Sequence, residues 1–131
     1  MTAFANFSDA QVAGAAEKFI AKMNENDLAV EIGRTERDMD SSSRSALIEA
    51  VFDAFRERGE SSEDAAEGAG TAVTAIESGD AAAVEALLKY AQQNSGLLRE
   101  AAITFIESHP KLAAQLSPVL VDGIAKKLMV P

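Results

Sequence analysis

Apolar residues recur along most of this chain at intervals of three and four, the spacing of one face of an α-helix. After Ser8-Asp9-Ala10-Gln11, the residues Val12, Ala16, Phe19, Ile20 and Met23 share such a face, which predicts a first helix to about Asn26. Ser-x-x-Gln is a capping-box pattern, in which each side chain accepts a backbone N–H that the first turn leaves unpaired. Phe7 precedes it, where a hydrophobic staple would sit.

Over residues 27–40 the pattern changes. Leu28, Val30 and Ile32 alternate as in a short strand, then Gly33 and the charged "RTERDMD" follow. The expectation is a turn or short helix leading into a loop. Helical spacing returns from Ser43 to Arg58, where Leu47, Ile48, Val51, Phe52 and Phe55 form one stripe and Gly59 stands at a helix-ending position.

Ser61 or Ser62 then caps a helix expected to run to about Ser78, with Glu63, Asp64 and Glu67 early, where the macrodipole favours anions. Gly79 ends it, and Asp80 caps the next helix, which carries Val84, Leu87, Leu88 and Ala91. After Asn94-Ser95-Gly96 comes a helix with Leu97, Leu98, Ala101, Ala102, Phe105 and Ile106, which stops before Pro110. "HPKLAAQL" reads as a short helix opened by Pro110, and Ser117-Pro118 starts a last helix to about Met129. The fold class is all-α. Residues 1–131 form a single compact domain of five to seven short helices, an irregular bundle or a short solenoid-like array. Connections of a few residues leave no linker between domains, and no fixed repeat period is present.

Composition fits this picture, with 47% hydrophobic and 25% charged residues. Six Phe, one Tyr and no Trp direct the core towards Ala, Val, Leu and Ile. The absence of cysteine excludes disulfides, thiolate metal sites and thiol nucleophiles. "MTAFANFSDA" lacks the basic and apolar regions of a secretory signal, and no stretch nears the roughly 18 apolar residues of a membrane helix. The expected location is the cytoplasm, away from membranes.

The net charge of −9 is uneven: residues 1–65 hold fourteen acids and seven bases, residues 66–131 seven acids and five bases. Such a surface repels phosphate backbones and anionic lipid, and suits a basic partner or a cation.

Candidate chemistry is sparse. Gly68 and Gly70 suggest a dinucleotide fingerprint, but the third glycine position is Val73, no strand precedes them and no P-loop lysine follows. They fit better in a central helix crossed closely by a neighbour bearing Phe52 or Phe55. "DMDSSSRSALIE" places Asp38, Asp40, Ser42 and Glu49 at positions one, three, five and twelve of a calcium loop of the EF-hand type. Against that, Ser43 replaces the turn glycine, Ser45 the apolar linker, and there is no second loop. Glu49, Asp53 and Glu57 stand at successive i, i+4 positions beside Arg56 and Arg58, which reads as a solvated, partly neutralised face. His109, the one histidine, sits at a helix end with no orienting motif and suits the dipole there. Lys126 and Lys127 do the same for the apolar last helix, which reads as a core element rather than a membrane one.

The functional expectation is a non-enzymatic interaction or regulatory protein without a cofactor, whose acidic half, especially Glu31 to Glu67, meets a basic protein partner. Direct nucleic-acid binding is not expected, and homo-oligomers are compatible with the sequence. In size and charge alone the chain is similar to small acidic bacterial or phage regulators, including nucleic-acid mimics that block DNA-binding proteins. The alternative is a calcium-binding protein using Asp38, Asp40, Ser42 and Glu49.

Overall fold

Eight α-helices and one 3₁₀ turn, joined by short connections, are found in the computed structural model, which describes residue 4 and residues 6–129. The helices are α1 (Asp9–Ala21), α2 (Glu25–Asp38), α3 (Ser41–Glu57), α4 (Ser62–Gly68), α5 (Val73–Glu77), α6 (Ala81–Gln92), α7 (Leu97–Ser108) and α8 (Pro118–Met129); the 3₁₀ turn is Pro110–Gln115. No strand occurs among the described residues. The fold is all-α, as the periodicity predicts.

Local chemistry sets most boundaries. Ser8 and Gln11 close the capping box, with Ser8 N donating to Gln11 Oε1 at 2.8 Å and Gln11 N to Ser8 Oγ at 3.1 Å. The first helix stops at Ala21 rather than near Asn26, because Asn24 caps α2, accepting from Asn26 N at 2.7 Å and Asp27 N at 3.3 Å. Asp40 caps α3 and Asp80 caps α6 in the same way.

Two expectations are corrected. Over residues 27–40 the expected turn or short helix leading into a loop is instead a full helix to Asp38, part of α2, and only Met39 and Asp40 separate it from α3. The buried face of α2 is Leu28, Glu31, Ile32, Thr35 and Glu36, a helical stripe disguised by its polar members, whereas Val30 is 47% exposed. The single helix expected from Ser61 or Ser62 to Ser78 is two short ones, α4 and α5. Gly70 takes φ +82°, a left-handed conformation that ends α4: Thr71 N donates to Ala66 O and Gly70 N to Glu67 O, both at 2.9 Å. This is a Schellman ending, for which glycine is the favoured residue.

The central helix is α7. It packs against α1, α2, α3, α6 and the 3₁₀ turn, and buries Leu97, Leu98, Ala101, Ala102, Phe105 and Ile106. On one side α8 lies against α1, and on the other α6 lies against α2. Ala, Leu and Ile fill most of the core, and the fully buried Phe52, Phe55 and Phe105 give it bulk.

Candidate interaction site

Because α3 is capped by Asp40 and buries Leu47, Ile48, Val51, Phe52 and Phe55 inward, its opposite face must carry polar residues. Glu49, Asp53 and Glu57 are exposed there, about 6 Å apart along the axis at 1.5 Å per residue. Arg56 ties the first two together: it is 3.0 Å from Glu49, contacts Asp53, and reaches Ser62 Oγ on α4 at 3.0 Å. That contact sets α4 beside α3, and α4 carries the further exposed acids Glu63, Asp64 and Glu67.

The first turn of α7 adds Glu100. Its carboxylate accepts from Arg58 at 2.8 Å and also lies against Glu57. A hydrogen bond from Glu57 to Glu100, followed by the charge of Glu100, raises the Glu57 carboxyl above its ordinary value. Glu60, at the α3–α4 turn, accepts from the Tyr90 hydroxyl at 2.5 Å, and that bond, with burial and the Glu60 charge, raises the Tyr90 phenol. Tyr90 in turn stacks on Phe55, ring centroids 5.6 Å apart. Arg56 thus gathers Glu49 and Asp53, and Glu57 and Arg58 meet Glu100, along α3 and the start of α7.

The four residues of the calcium-loop reading are not brought round a common point. Asp38 ends α2 and is exposed. Asp40 is engaged as the cap of α3, accepting from Ser43 N at 2.8 Å; that bond and others, from the Ser43 hydroxyl and Gln115 among them, hold its carboxyl below the usual range. Ser42 lies in the first turn of α3, and Glu49 is about 13 Å further along the helix from Asp40, paired with Arg56. Among the described residues, no group of three or more His, Asp or Glu side chains is placed to hold a metal ion.

Not all of the acidic stretch faces solvent. Glu31 is buried and accepts from Ser117 Oγ at 2.8 Å, while Ser117 N donates to Thr35 Oγ1 at 2.9 Å. Glu36 is buried 3.0 Å from Arg44, which also donates to the carbonyls of Glu36 and Met39 at the end of α2. Within α2, then, Glu31 and Glu36 face inward while Asp38 faces solvent.

His109 is the exposed C-cap of α7, its ring 5.7 Å from that of Phe105. With Glu49, Asp53 and Ser108 it rims a small cavity of about 130 Å³ floored by Ala46, Ala50 and Phe105. Gly68 is crossed closely, as expected, but by Tyr90 of α6: an added Cβ would lie 2.5 Å from the Tyr90 ring. Phe55 takes part only indirectly, through its stack on Tyr90, and Gly70 meets nothing.

The Glu57–Glu100 and Glu60–Tyr90 contacts escaped the sequence reading because each joins residues far apart in the chain. Their one local signal is that Glu57 continues the Glu49–Asp53 spacing. No known protein family, curated protein or solved structure matches this chain. Among the described residues no helix is long and apolar enough to cross a membrane.

Proposed function

We propose that this protein is a small non-enzymatic interaction module that binds a basic protein surface through the acidic face of α3, α4 and the start of α7. The observation that carries this reading is the Glu57–Glu100 contact. Two carboxyl groups are held together on an exposed surface, with Arg58 ion-paired to Glu100 and offsetting only part of the repulsion at Glu57. Like charges in contact are unfavourable, and a lysine or arginine from a partner set between them would relieve the repulsion. The line of Glu49, Asp53 and Glu57 supports the same reading. Regularly spaced anions on a rigid helix offer a basic groove something of what a phosphate backbone offers, so a DNA-binding protein is the partner class favoured here.

The test is affinity capture from the native host, comparing the wild-type chain with a Glu57→Gln, Glu100→Gln double variant at low and high salt. Partners held by this face should be lost steeply with salt and depleted by the double variant. A partner retained equally by both proteins, at both salt levels, would sink the proposal.

A further inference from the structure

We infer that the groove between α2 and α6 is a binding site for an amphipathic organic anion, its apolar body lying along the groove and its carboxylate meeting Arg37. The helices are antiparallel: Gln92 Nε2, at the end of α6, donates to Asn26 Oδ1, near the start of α2, at 3.0 Å. Between them is a cavity of about 290 Å³. Ala29, Gly33, Val84 and Leu88 floor it, and the exposed Val30 forms its lip.

Two independent features point to an occupant. Gly33 lies in mid-helix, where glycine is less stable than alanine, yet nothing within the chain requires it. A Cβ placed there would come no closer than 3.8 Å to Leu88 and 3.9 Å to the Arg37 guanidinium, which is ordinary contact. Gly68 and Gly123, by contrast, lie beneath aromatic rings. Gly14 is equally uncrowded but lines neither this groove nor the cavity beside His109. At Gly33 the bare backbone enlarges a cavity.

The second feature is Arg37. Its guanidinium folds back over the groove and, among the described residues, makes no hydrogen bond or ion pair, acting only from a distance on the buried Glu36 carboxyl. The nearby Glu36 is engaged by Arg44 at 3.0 Å, and on the opposite wall Lys89 and Glu85 pair at 3.5 Å. The groove therefore has a cation to spare in a chain of net charge −9. An apolar body would take Val30, Val84 and Leu88 out of water, and a carboxylate would gain a charge-assisted, bidentate partner. Glu36 and Glu85 also line the groove but are engaged by Arg44 and Lys89, so a cationic ligand would find no carboxylate without a partner, and a neutral one would leave Arg37 unused.

Decanoate is the probe, with 1-decanol and decylamine as neutral and cationic controls, followed by calorimetry and by methyl NMR of Val30, Val84 and Leu88. Decanoate should bind and shift those methyls, Arg37→Gln should weaken it about tenfold, and Gly33→Leu should abolish it. Val30→Glu, at an exposed position that leaves folding intact, should also abolish it. The proposal is overturned if decanoate shifts none of these methyls, if decanol binds as tightly, if Val30→Glu binds normally, or if the groove accepts only an amphipathic helical peptide. Since the α3–α4 face is untouched by these variants, salt-sensitive partner capture should be unchanged by them.

Discussion

Helices α7 and α2 each bury one whole face, yet different physics holds each in place. α7 buries six apolar side chains and is gripped on several sides by dispersion and the exclusion of water. α2 buries Leu28 and Ile32 beside Glu31, Thr35 and Glu36, each of which has a partner: Ser117 for the first two and Arg44 for the third. No buried side-chain polar atom among the described residues lacks a hydrogen bond. A helix face can thus read as polar and still be interior, provided that every polar group on it is matched from another element.

The largest effect should come from α7. Phe105 is fully buried where α7 meets α3. Phe105→Ala should cost about 3–5 kcal/mol, the usual range for removing a buried aromatic ring, measured by urea denaturation. A loss below that range would show that the site collapses to fill the gap, or that α7 is less central than its packing indicates.

A smaller but more telling effect is expected in α2. Thr35→Val keeps the shape and adds apolar character, so a purely hydrophobic account predicts no loss. The Thr35 hydroxyl, however, accepts the buried Ser117 N–H at 2.9 Å while donating to Glu31 O at 2.8 Å. Valine leaves that N–H unpaired, which should cost about 1–3 kcal/mol. The loss should be local, with faster hydrogen exchange at the Ser117 amide and the first turn of α8 than elsewhere. Wild-type exchange at Ser117 would break the contrast between the two helices.

This contrast also explains what the sequence made legible. α7, α6, α3 and α8 carry apolar stripes, and their caps, Asp80 and Gly59 among them, lie within a few residues of the chemistry they serve. α2 was hidden because its inward stripe includes two glutamates whose partners, Ser117 and Arg44, come from other elements. Val30 then lent Leu28 and Ile32 a false alternation. The break at Gly70 was concealed by good spacing on either side; only the left-handed backbone there reveals it. The candidate site divides similarly. Glu49, Asp53 and Glu57 could be placed on one face from spacing alone, whereas Glu100 joins them only through the packing of α7 on α3.

The smallest effect concerns Glu36, and it sharpens the contrast because it varies with pH. Burial raises the Glu36 carboxyl above its ordinary value of 4.5, against the opposing pull of Arg44 and then Arg37. The folded chain therefore holds this proton more tightly than the unfolded chain. Below the ordinary value both states are protonated, and the associated stability is fully present. As pH rises past it, the unfolded chain ionises first and stability falls, until the folded carboxyl has ionised too and the loss is complete. Glu36→Gln cannot ionise, so the stability of the variant relative to wild type should climb across that window and then level off. Urea midpoints for both proteins over a series of pH values measure this difference. If it runs the other way, with wild type gaining on the variant as pH rises, then Arg44 outweighs burial, and α2 is held by an ion pair that strengthens the fold rather than one that merely makes a buried charge tolerable.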